Sequence, residues 1–284
     1  MTIVRADAAL AARLGHDGER VVETAPGAVL SWPALHLLAE HGWRWRPAAA
    51  AGVAGAPVGD LLHVDLTVEH APSPRTLLGP VSERFLAALG RRPSWSRYEG
   101  DAPLTAAALT EIAEHRSPAP TTFVVGGGAD RGVGGLLVVE RGPRSVFETL
   151  RVVVAIDDPG GLRDGLEAGL RSASLGRHPQ SGLFSTSRGR VDGVTDAVLR
   201  GPVTPLAVFA GARALRARGL TASVAALGGR PVGPVRTPGA LFWFDGAEPE
   251  RWRAAADLAR EVRGDGLRPD PVPGHDGGRT GEVR

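Results

Sequence analysis

Residues 121–156 read TTFVVGGGADRGVGGLLVVERGPRSVFETLRVVVAI, and this stretch decides the fold. Its apolar and β-branched residues fall in three runs, 121–125, 135–141 and 146–156, which predict three strands. A glycine-rich segment, 126–134, joins the first two runs, and a short Gly-Pro turn joins the second to the third. Connections this short allow only antiparallel neighbours, because a parallel pair needs a crossover of about a dozen residues or more. The stretch therefore predicts a three-stranded β-meander.

Outward from the meander, residues 62–69 alternate between apolar and polar side chains, the pattern of a strand with one buried face. Apolar residues at helical spacing, with helix start and stop signals around them, predict helices in several other segments. The predicted helices span residues 33–40, 80–89, 105–116, 162–170, 204–218 and 249–262. The remaining predicted elements are strands at 222–227 and 241–245, a hairpin formed by 20–24 and 28–32, and a long polar loop or hairpin at 172–193.

Antiparallel strands interspersed with helices predict an α+β fold, with a mostly antiparallel sheet and helices packed on one face. The predicted domain covers residues 1–263, either as one unit or as two similar-sized halves, 1–157 and 158–263. From residue 264 to 284 the chain is Gly, Pro, Asp and Arg with hardly an apolar residue, which predicts a disordered C-terminal tail.

The composition excludes several classes of chemistry. The 284-residue chain has no cysteine, which rules out disulfides, thiol nucleophiles and cysteine-ligated metals. It has no lysine either, and so cannot form a Schiff base or use a P-loop lysine. Abundant Ala, Gly, Arg and Pro together with these absences are typical of a GC-rich genome of actinobacterial type.

The basic pI does not indicate nucleic-acid binding. The pI is about 10.1, yet the net charge at pH 7 is only +2. With no Lys or Cys and a single Tyr, almost nothing in this chain titrates between neutrality and the pKa of arginine. A small positive excess therefore persists to high pH, and the protein is close to electroneutral.

The sequence predicts no targeting or membrane segment. Its N-terminus lacks the charged region followed by an apolar one that marks a signal peptide. No apolar run approaches the ~20 residues that a membrane-spanning helix needs. We therefore expect a cytoplasmic protein without membrane insertion.

The polar face of the alternating strand carries His63, Asp65 and Glu69, which have the chemistry for metal ligation or acid–base catalysis. Such a face is more often the solvated side of a sheet.

His36 and His41 are five residues apart, which misses the i, i+4 spacing of a helical metal pair. The glycine-rich segment also lacks the G-x-G-x-x-G spacing and leads into a strand rather than a helix. We therefore expect no metal and no cofactor.

A candidate binding surface follows the helix predicted at 80–89, where Arg91, Arg92, Trp95, Arg97 and Tyr98 interleave basic and aromatic side chains. Three interpretations are open. The segment is an ordinary loop whose Trp95 completes the core, a contact for another protein, or a platform for stacking bases and contacting phosphates. The near-zero net charge weighs against nucleic acid.

The polar segment 172–193 adds Arg188 and Arg190 to this candidate surface. It also contains His178 and Ser187, the residue types of a histidine base and a serine nucleophile. The G-x-S-x-G motif is absent, because Ser185 stands where its first glycine belongs. We therefore assign no catalytic residue.

The layout of residues 62–156 is a strand, a helix that ends in Leu-Ala-Ala-Leu-Gly, then Trp95 and Tyr98, a second helix, and the strands at 121–125 and 146–154. In this order of elements the chain resembles an uncharacterised actinobacterial protein family. As the resemblance implies, members have no assigned activity, and some are encoded near type VII secretion loci. It implies an accessory protein whose partners are other proteins, secreted helical ones among them, and it supplies no catalytic residues.

The sequence thus predicts a non-enzymatic protein-binding protein, an adaptor or chaperone associated with type VII secretion. One alternative is a nucleic-acid-binding protein that uses the arginine and aromatic side chains of the candidate surface. The other is a hydrolase or transferase with its site around His63 and Asp65 or around His178 and Ser187. The latter requires these side chains to converge in one cleft.

Overall fold

The computed structural model describes residues 3–14, 20–25, 27–47, 56–73, 75–126, 132–142, 144–175, 178–195 and 201–263. The predicted tail, 264–284, lies outside the described residues, as do residues 127–131 of the glycine-rich segment. The strands are β1 (Ile3–Val4), β2 (Val21–Thr24), β3 (Val29–Ser31), β4 (Arg44–Pro47), β5 (Val58–His70), β6 (Trp95–Ser96), β7 (Thr121–Gly126), β8 (Val133–Arg141), β9 (Val146–Ile156), β10 (His178–Arg190), β11 (Val194–Thr195), β12 (Thr204–Ala210), β13 (Gly229–Val232) and β14 (Gly239–Trp243). The helices are α1 (Ala8–Leu14), α2 (Trp32–Glu40), α3 (Pro80–Ala88), α4 (Ala106–Arg116), α5 (Leu162–Ala173), α6 (Ala212–Ala217) and α7 (Glu248–Arg263).

The centre of the fold is a nine-stranded antiparallel sheet in the order β13-β14-β12-β10-β5-β9-β8-β7-β6. The α+β prediction is confirmed, and so is the meander, which is β7-β8-β9. The helices were expected on one face of the sheet, but they pack on both faces. Strand β5 pairs with β9 on one side and β10 on the other, so strands from both predicted halves of the chain share this sheet. Its outermost strands are short, four residues in β13 and two in β6.

One face of the sheet packs against α3, α4 and α5 and forms the larger core cluster, here called the α3/α5 face. The apolar side of β5 supplies Leu62, Val64, Leu66 and Val68, as the alternation predicts. Helices α3 and α5 approach each other closely because α5 has glycines at positions 165 and 169. A Cβ at Gly169 would lie 2.9 Å from Phe85 Cδ2 and 3.1 Å from Phe85 O.

The opposite face of the sheet is covered by the N-terminal layer, which comprises the described residues of 3–47. Its helix α2 packs on β8 and β9. Leu30 and Leu38 from this layer form a second core cluster with Val124, Leu136 and Val138 of the sheet. Helix α2 begins where predicted, because Ser31 Oγ accepts a hydrogen bond from Ala34 N at 3.1 Å and a proline occupies the first turn.

Four local predictions are wrong. Residues 20–24 and 28–32 form no hairpin, because β2 pairs in parallel with β4 whereas β3 pairs with β1 and β11. Residues 204–210 form strand β12 instead of the start of a helix, and only α6 of that prediction is helical. An apolar run of this length cannot be distinguished from a buried helix by periodicity. Residues 222–227 form successive turns instead of a strand. The helical spacing of residues 249–262 predicts Trp252 on the inner face of that helix, but Trp252 is 51% exposed.

The segment predicted as a loop or hairpin at 172–193 contains a single thirteen-residue strand, β10, between β5 and β12. Its serines and glycines suit a central position, since both faces of the strand are partly covered and large side chains have little room. Ser185 and Ser187 are 7% and 8% exposed.

No helix among the described residues is long and apolar enough to cross a membrane.

Candidate functional site

The edge of the sheet at β7 is open over half of that strand. Strand β6 pairs only with Val124 and Val125. Residues 121–123 therefore have a strand neighbour on the β8 side alone, among the residues that the structure describes.

The backbone of Thr122 faces this open side. Gly126 N donates to Ser94 O at 3.0 Å, which shows that the main-chain groups of Gly126 point towards β6. Because these groups alternate along a strand, those of Val124 and Thr122 point the same way. Strand β6 ends before it reaches Thr122, so no described strand pairs with the outward N–H and C=O of that residue.

The open edge lies in a groove of about 460 Å³. Ile112 and Arg116 of α4 line one wall, and α1 and α2 line the other with side chains that include Leu37. Arg97 and Tyr98, which follow β6 in the chain, complete the lining together with residues 120–124 of β7. A strand edge is thus exposed between two walls of helix.

The groove carries a positive charge. The Arg97 guanidinium lies 5.9 Å from the centroid of the Tyr98 ring, within range of a cation–π contact. Arg116 is exposed and forms no ion pair with any residue described here. The acidic side chain on the wall, Glu40, is paired with Arg151. The uncompensated charges that face the groove are therefore guanidinium groups.

The seven residues of the predicted binding surface are distributed over several parts of the molecule. Arg97 and Tyr98 lie in the groove. Trp95 is 2% exposed and donates its indole N–H to Glu83 Oε1 at 2.8 Å. Arg190 is 4% exposed and donates to both carboxylate oxygens of Asp192.

The other members of that predicted surface are Arg91, Arg92 and Arg188. The Arg91 guanidinium donates to Ala155 O and to Asp157 Oδ2 at 2.5 and 2.7 Å. Arg92 and Arg188 are exposed, and Arg188 lies on β10, far along the sheet order from β7. Of the seven, the structure brings only Arg97 and Tyr98 to the β7 groove.

The structure does not keep the residue pairs of the catalytic alternative, which grouped His63 with Asp65 and His178 with Ser187. His63 Nε2 lies 2.8 Å from Ser187 Oγ, because β5 and β10 are neighbours. His178 lies at the opposite end of β10, in register with Glu69. The cavity beside His63 and Ser187 measures about 10 Å³, which is the space of a single water molecule. It therefore has no room for a substrate.

Asp65 is part of a separate ion pair. Its Oδ2 lies 3.3 Å from Arg151 Nε, and burial raises the pKa of this carboxyl in spite of the arginine. Among the described residues, no three His, Asp or Glu side chains are placed to hold a metal ion.

Glu69 forms a polar cluster that sequence reasoning missed. The carboxylate is 8% exposed and accepts hydrogen bonds from Ser145 Oγ at 2.5 Å, from Gln180 Nε2 at 2.7 Å and from Arg213. The hydrogen bond from Arg213 is the main cause that lowers the pKa of Glu69. The alternation of β5 marked Glu69 as a polar residue of interest, but no sequence pattern indicated its partners Gln180 and Arg213.

A second carboxylate, Glu99, was not singled out in the sequence and joins distant parts of the chain. It accepts hydrogen bonds from Ala6 N and from Ser31 Oγ, both in the N-terminal layer. Burial is the main cause that raises the pKa of Glu99. Its partners are 93 and 68 residues away, so no local pattern indicates the contact.

A third carboxylate, Glu148, is fully buried within the α3/α5 face. Its Oε1 accepts a hydrogen bond from Ser82 Oγ at 2.5 Å. Its Oε2 accepts one from Gly79 N at 3.2 Å and lies 3.1 Å from His70 Nε2. These contacts join β5 and β9 to the first turn of α3. The cluster has a structural role and borders none of the cavities described here.

Residues 61–264 match the family described as DUF6177, C-terminal domain. The chain belongs to this family. Membership of an uncharacterised family is thereby confirmed, over a longer stretch than residues 62–156. The first 60 residues precede the match, whereas β10 lies inside it.

Other comparisons add little about this DUF6177 protein. No curated protein matches the chain. A solved Pseudomonas aeruginosa T6SS protein, PA0821, is 13% identical, with 73% of this chain and 77% of that chain covered and a TM-score of 0.39. A similarity of this size carries no functional information.

Proposed function

We propose that this DUF6177 protein is a non-enzymatic peptide-binding protein that adds an extended segment of a partner protein to its sheet beside β7. The observation that carries the proposal is the open edge at Thr122, which lies inside a groove with helices on both sides. In strand addition, main-chain hydrogen bonds give affinity and pockets for alternate side chains give specificity. Both requirements have a counterpart in this groove.

The partner segment is acidic in this proposal. Arg97 and Arg116 face the groove and have no carboxylate partner in the described part of the chain, while Glu40 is neutralised by Arg151. Acidic side chains on the incoming strand would complement these guanidinium groups and speed association. Tyr98 offers an aromatic surface of the kind that anchors protein interfaces.

The cellular role is proposed on the resemblance of residues 62–156 alone. It supports an adaptor or chaperone that acts in the actinobacterial cytoplasm and hands partner proteins to a type VII secretion system. The groove adds to this proposal the expectation that the bound segment is extended rather than helical.

The first test removes the outward N–H of Thr122. In Thr122→Pro the ladder to β8 is preserved, because residues 121 and 123 make it and proline is tolerated at an edge strand. The matched control is Thr122→Val, which keeps the N–H and loses only the hydroxyl. The probe is a short fluorescent peptide in which Glu alternates with Val, and its binding is followed by anisotropy.

We expect wild type and Thr122→Val to bind the peptide, and Thr122→Pro to bind at least about tenfold more weakly, the equivalent of one hydrogen bond and its desolvation. Thermal unfolding of the three proteins verifies that all are folded. Equal affinity in all three would rule out strand addition at β7. Absence of binding by the wild type to this peptide and to its Lys-for-Glu counterpart would overturn the proposed function.

The second test concerns charge. Arg97→Gln and Arg116→Gln should each weaken binding of the Glu peptide and reduce its salt dependence, because each removes one guanidinium from the groove. Arg188→Gln, on β10, is the matched control. If instead labelled single-stranded DNA bound with a steep salt dependence, the nucleic-acid alternative would replace the peptide.

A further inference from the structure

A second cavity, of about 250 Å³, lies near the opposite end of the sheet from the β7 groove. It is bounded by the start of β10, by α6, by Ser174 after α5 and by the segment between β13 and β14. The lining side chains that can donate hydrogen bonds are Ser174, His178, Gln180, Arg213, Arg216 and Thr237. None of the described lining residues is Asp or Glu.

Two arginines face the cavity from one helical turn. Arg213 and Arg216 are three residues apart on α6, which places them on the same side of the helix. Arg213 is paired with Glu69, whereas Arg216 is exposed and has no ion-pair partner among the described residues. The cavity therefore carries a net positive charge even after the ion pair is counted.

Glu69 fixes the geometry of this wall from behind. Its nearly buried carboxylate accepts from Arg213 and Gln180, so both side chains are positioned before any ligand arrives. Gly211 makes this possible, because a Cβ there would lie 2.1 Å from Pro179 O and would push α6 away from β10. Gly211 N donates to Gln180 O at 2.8 Å, which holds the start of α6 against the strand.

We propose that this cavity binds a small molecule bearing a phosphoryl group. Guanidinium groups match phosphoryl oxygens with paired hydrogen bonds, and a preorganised arginine loses less freedom on binding. His178 and Thr237 supply further donors for the remaining oxygens. Phe209 and Pro234 give the cavity an apolar side, which fits an apolar substituent on the phosphate.

The proposal is tested on the full chain by NMR titration at constant ionic strength with phenyl phosphate, inorganic phosphate and acetate. We expect saturable shifts of the amides around Gly211 and Thr237 with both phosphates, tighter for phenyl phosphate and weaker for acetate. Arg216→Gln should weaken phosphate binding at least about tenfold, the loss of a charge-assisted hydrogen bond. Arg218→Gln, on a residue that does not line the cavity, should leave it unchanged.

Three results would each overturn the proposal. They are no saturation with either phosphate, equal affinity for acetate and inorganic phosphate, and equal weakening by Arg216→Gln and Arg218→Gln. Arg213→Gln gives a second measurement, expected to weaken phosphate binding as well. Since the β7 groove is elsewhere on the sheet, the Glu–Val peptide should still bind when the cavity is saturated with phenyl phosphate.

Discussion

The two faces of the sheet are covered in different ways. On the α3/α5 face, helices from within the DUF6177 region form the larger core, and their contacts include a buried carboxylate cluster around Glu148. On the other face, the N-terminal layer comes from residues that precede the family match and rests on a smaller core. It is fixed at one point by Glu99, a partly buried carboxylate whose charged form is disfavoured by burial.

This difference predicts separate roles for the two faces in stability and in the proposed peptide binding. The α3/α5 face forms the larger core and contributes to the groove through α4 and Phe123. The N-terminal layer contributes one wall of the groove through α1 and α2. We expect the α3/α5 face to determine global stability, and the N-terminal layer to open locally while the sheet stays folded.

The largest effect is expected on the α3/α5 face. Phe85 is fully buried and its ring stacks on Phe184 with the centroids 6.1 Å apart. Phe85→Ala should lower the free energy of unfolding by about 3–5 kcal/mol, since it removes a large side chain and leaves a cavity. Urea denaturation followed by far-UV circular dichroism, which reports on the whole sheet, should show its main transition shifted to lower urea. An unshifted main transition would mean that this face does not determine global stability.

A smaller and local effect is expected in the N-terminal layer. Leu38, 1% exposed, packs in the second core cluster. Leu38→Ala should lower the opening free energy of α2 and β3 by about 2–5 kcal/mol, as measured by hydrogen exchange. Exchange in β5 and β9 should change much less. Equal loss of protection in all four elements would remove the distinction between the two faces.

A third substitution measures how tightly the α3/α5 face is packed. Gly169→Ala adds a methyl group against Phe85 O, a backbone atom that cannot move away easily. We expect a loss of about 1–3 kcal/mol from overpacking, even though alanine favours a helix more than glycine. A rise in the thermal midpoint would show that α3 and α5 are packed loosely enough to accept a methyl group.

The smallest effect concerns pH and Glu99. Because burial holds its pKa above the ordinary 4.5, the folded protein binds this proton more tightly than the unfolded chain. Protonation of Glu99 therefore stabilises the folded protein. This contribution is complete below pH 4.5, is lost as the pH rises through the raised pKa of the folded state, and is absent at neutral pH.

Glu99→Gln removes this titration while its amide oxygen still accepts from Ala6 and Ser31. Relative to wild type, the variant should be most stable at neutral pH, and its advantage should shrink on acidification. Thermal midpoints of both proteins between neutral and acidic pH measure the difference. Glu69, whose pKa is lowered, has the opposite dependence and is unchanged in both proteins. A difference that grows on acidification would contradict the assigned direction.

Much of the sheet could be predicted from the sequence because its signals are local. The alternation in β5 and the short turns of the meander determine strands and pairing without knowledge of the rest. The errors fall where tertiary position decides. The sequence of β10 predicts a polar loop because serine and glycine are typical of loops, although their small size suits a crowded central strand. The sequence of β12 predicts a helix because it is apolar on both sides.

The candidate sites could be predicted only in small part. Arg97 and Tyr98 were identified from their composition, but the open edge at Thr122 depends on where β6 ends, which no pattern around Thr122 indicates. The Glu69 cluster joins residues from four separate segments, and no local pattern links Glu69 with Ser145, Gln180 and Arg213. His63 and Ser187 were both noted, yet their contact depends on the register between β5 and β10.

The N-terminal layer also has a consequence for how this domain can be handled. A chain trimmed to the family match, 61–264, would begin inside β5, whose first residue is Val58. It would also bare Val124, Leu136 and Val138, and an exposed apolar surface next to an open strand edge promotes self-association. A trimmed chain therefore stays monomeric only if another segment covers this surface in place of the N-terminal layer.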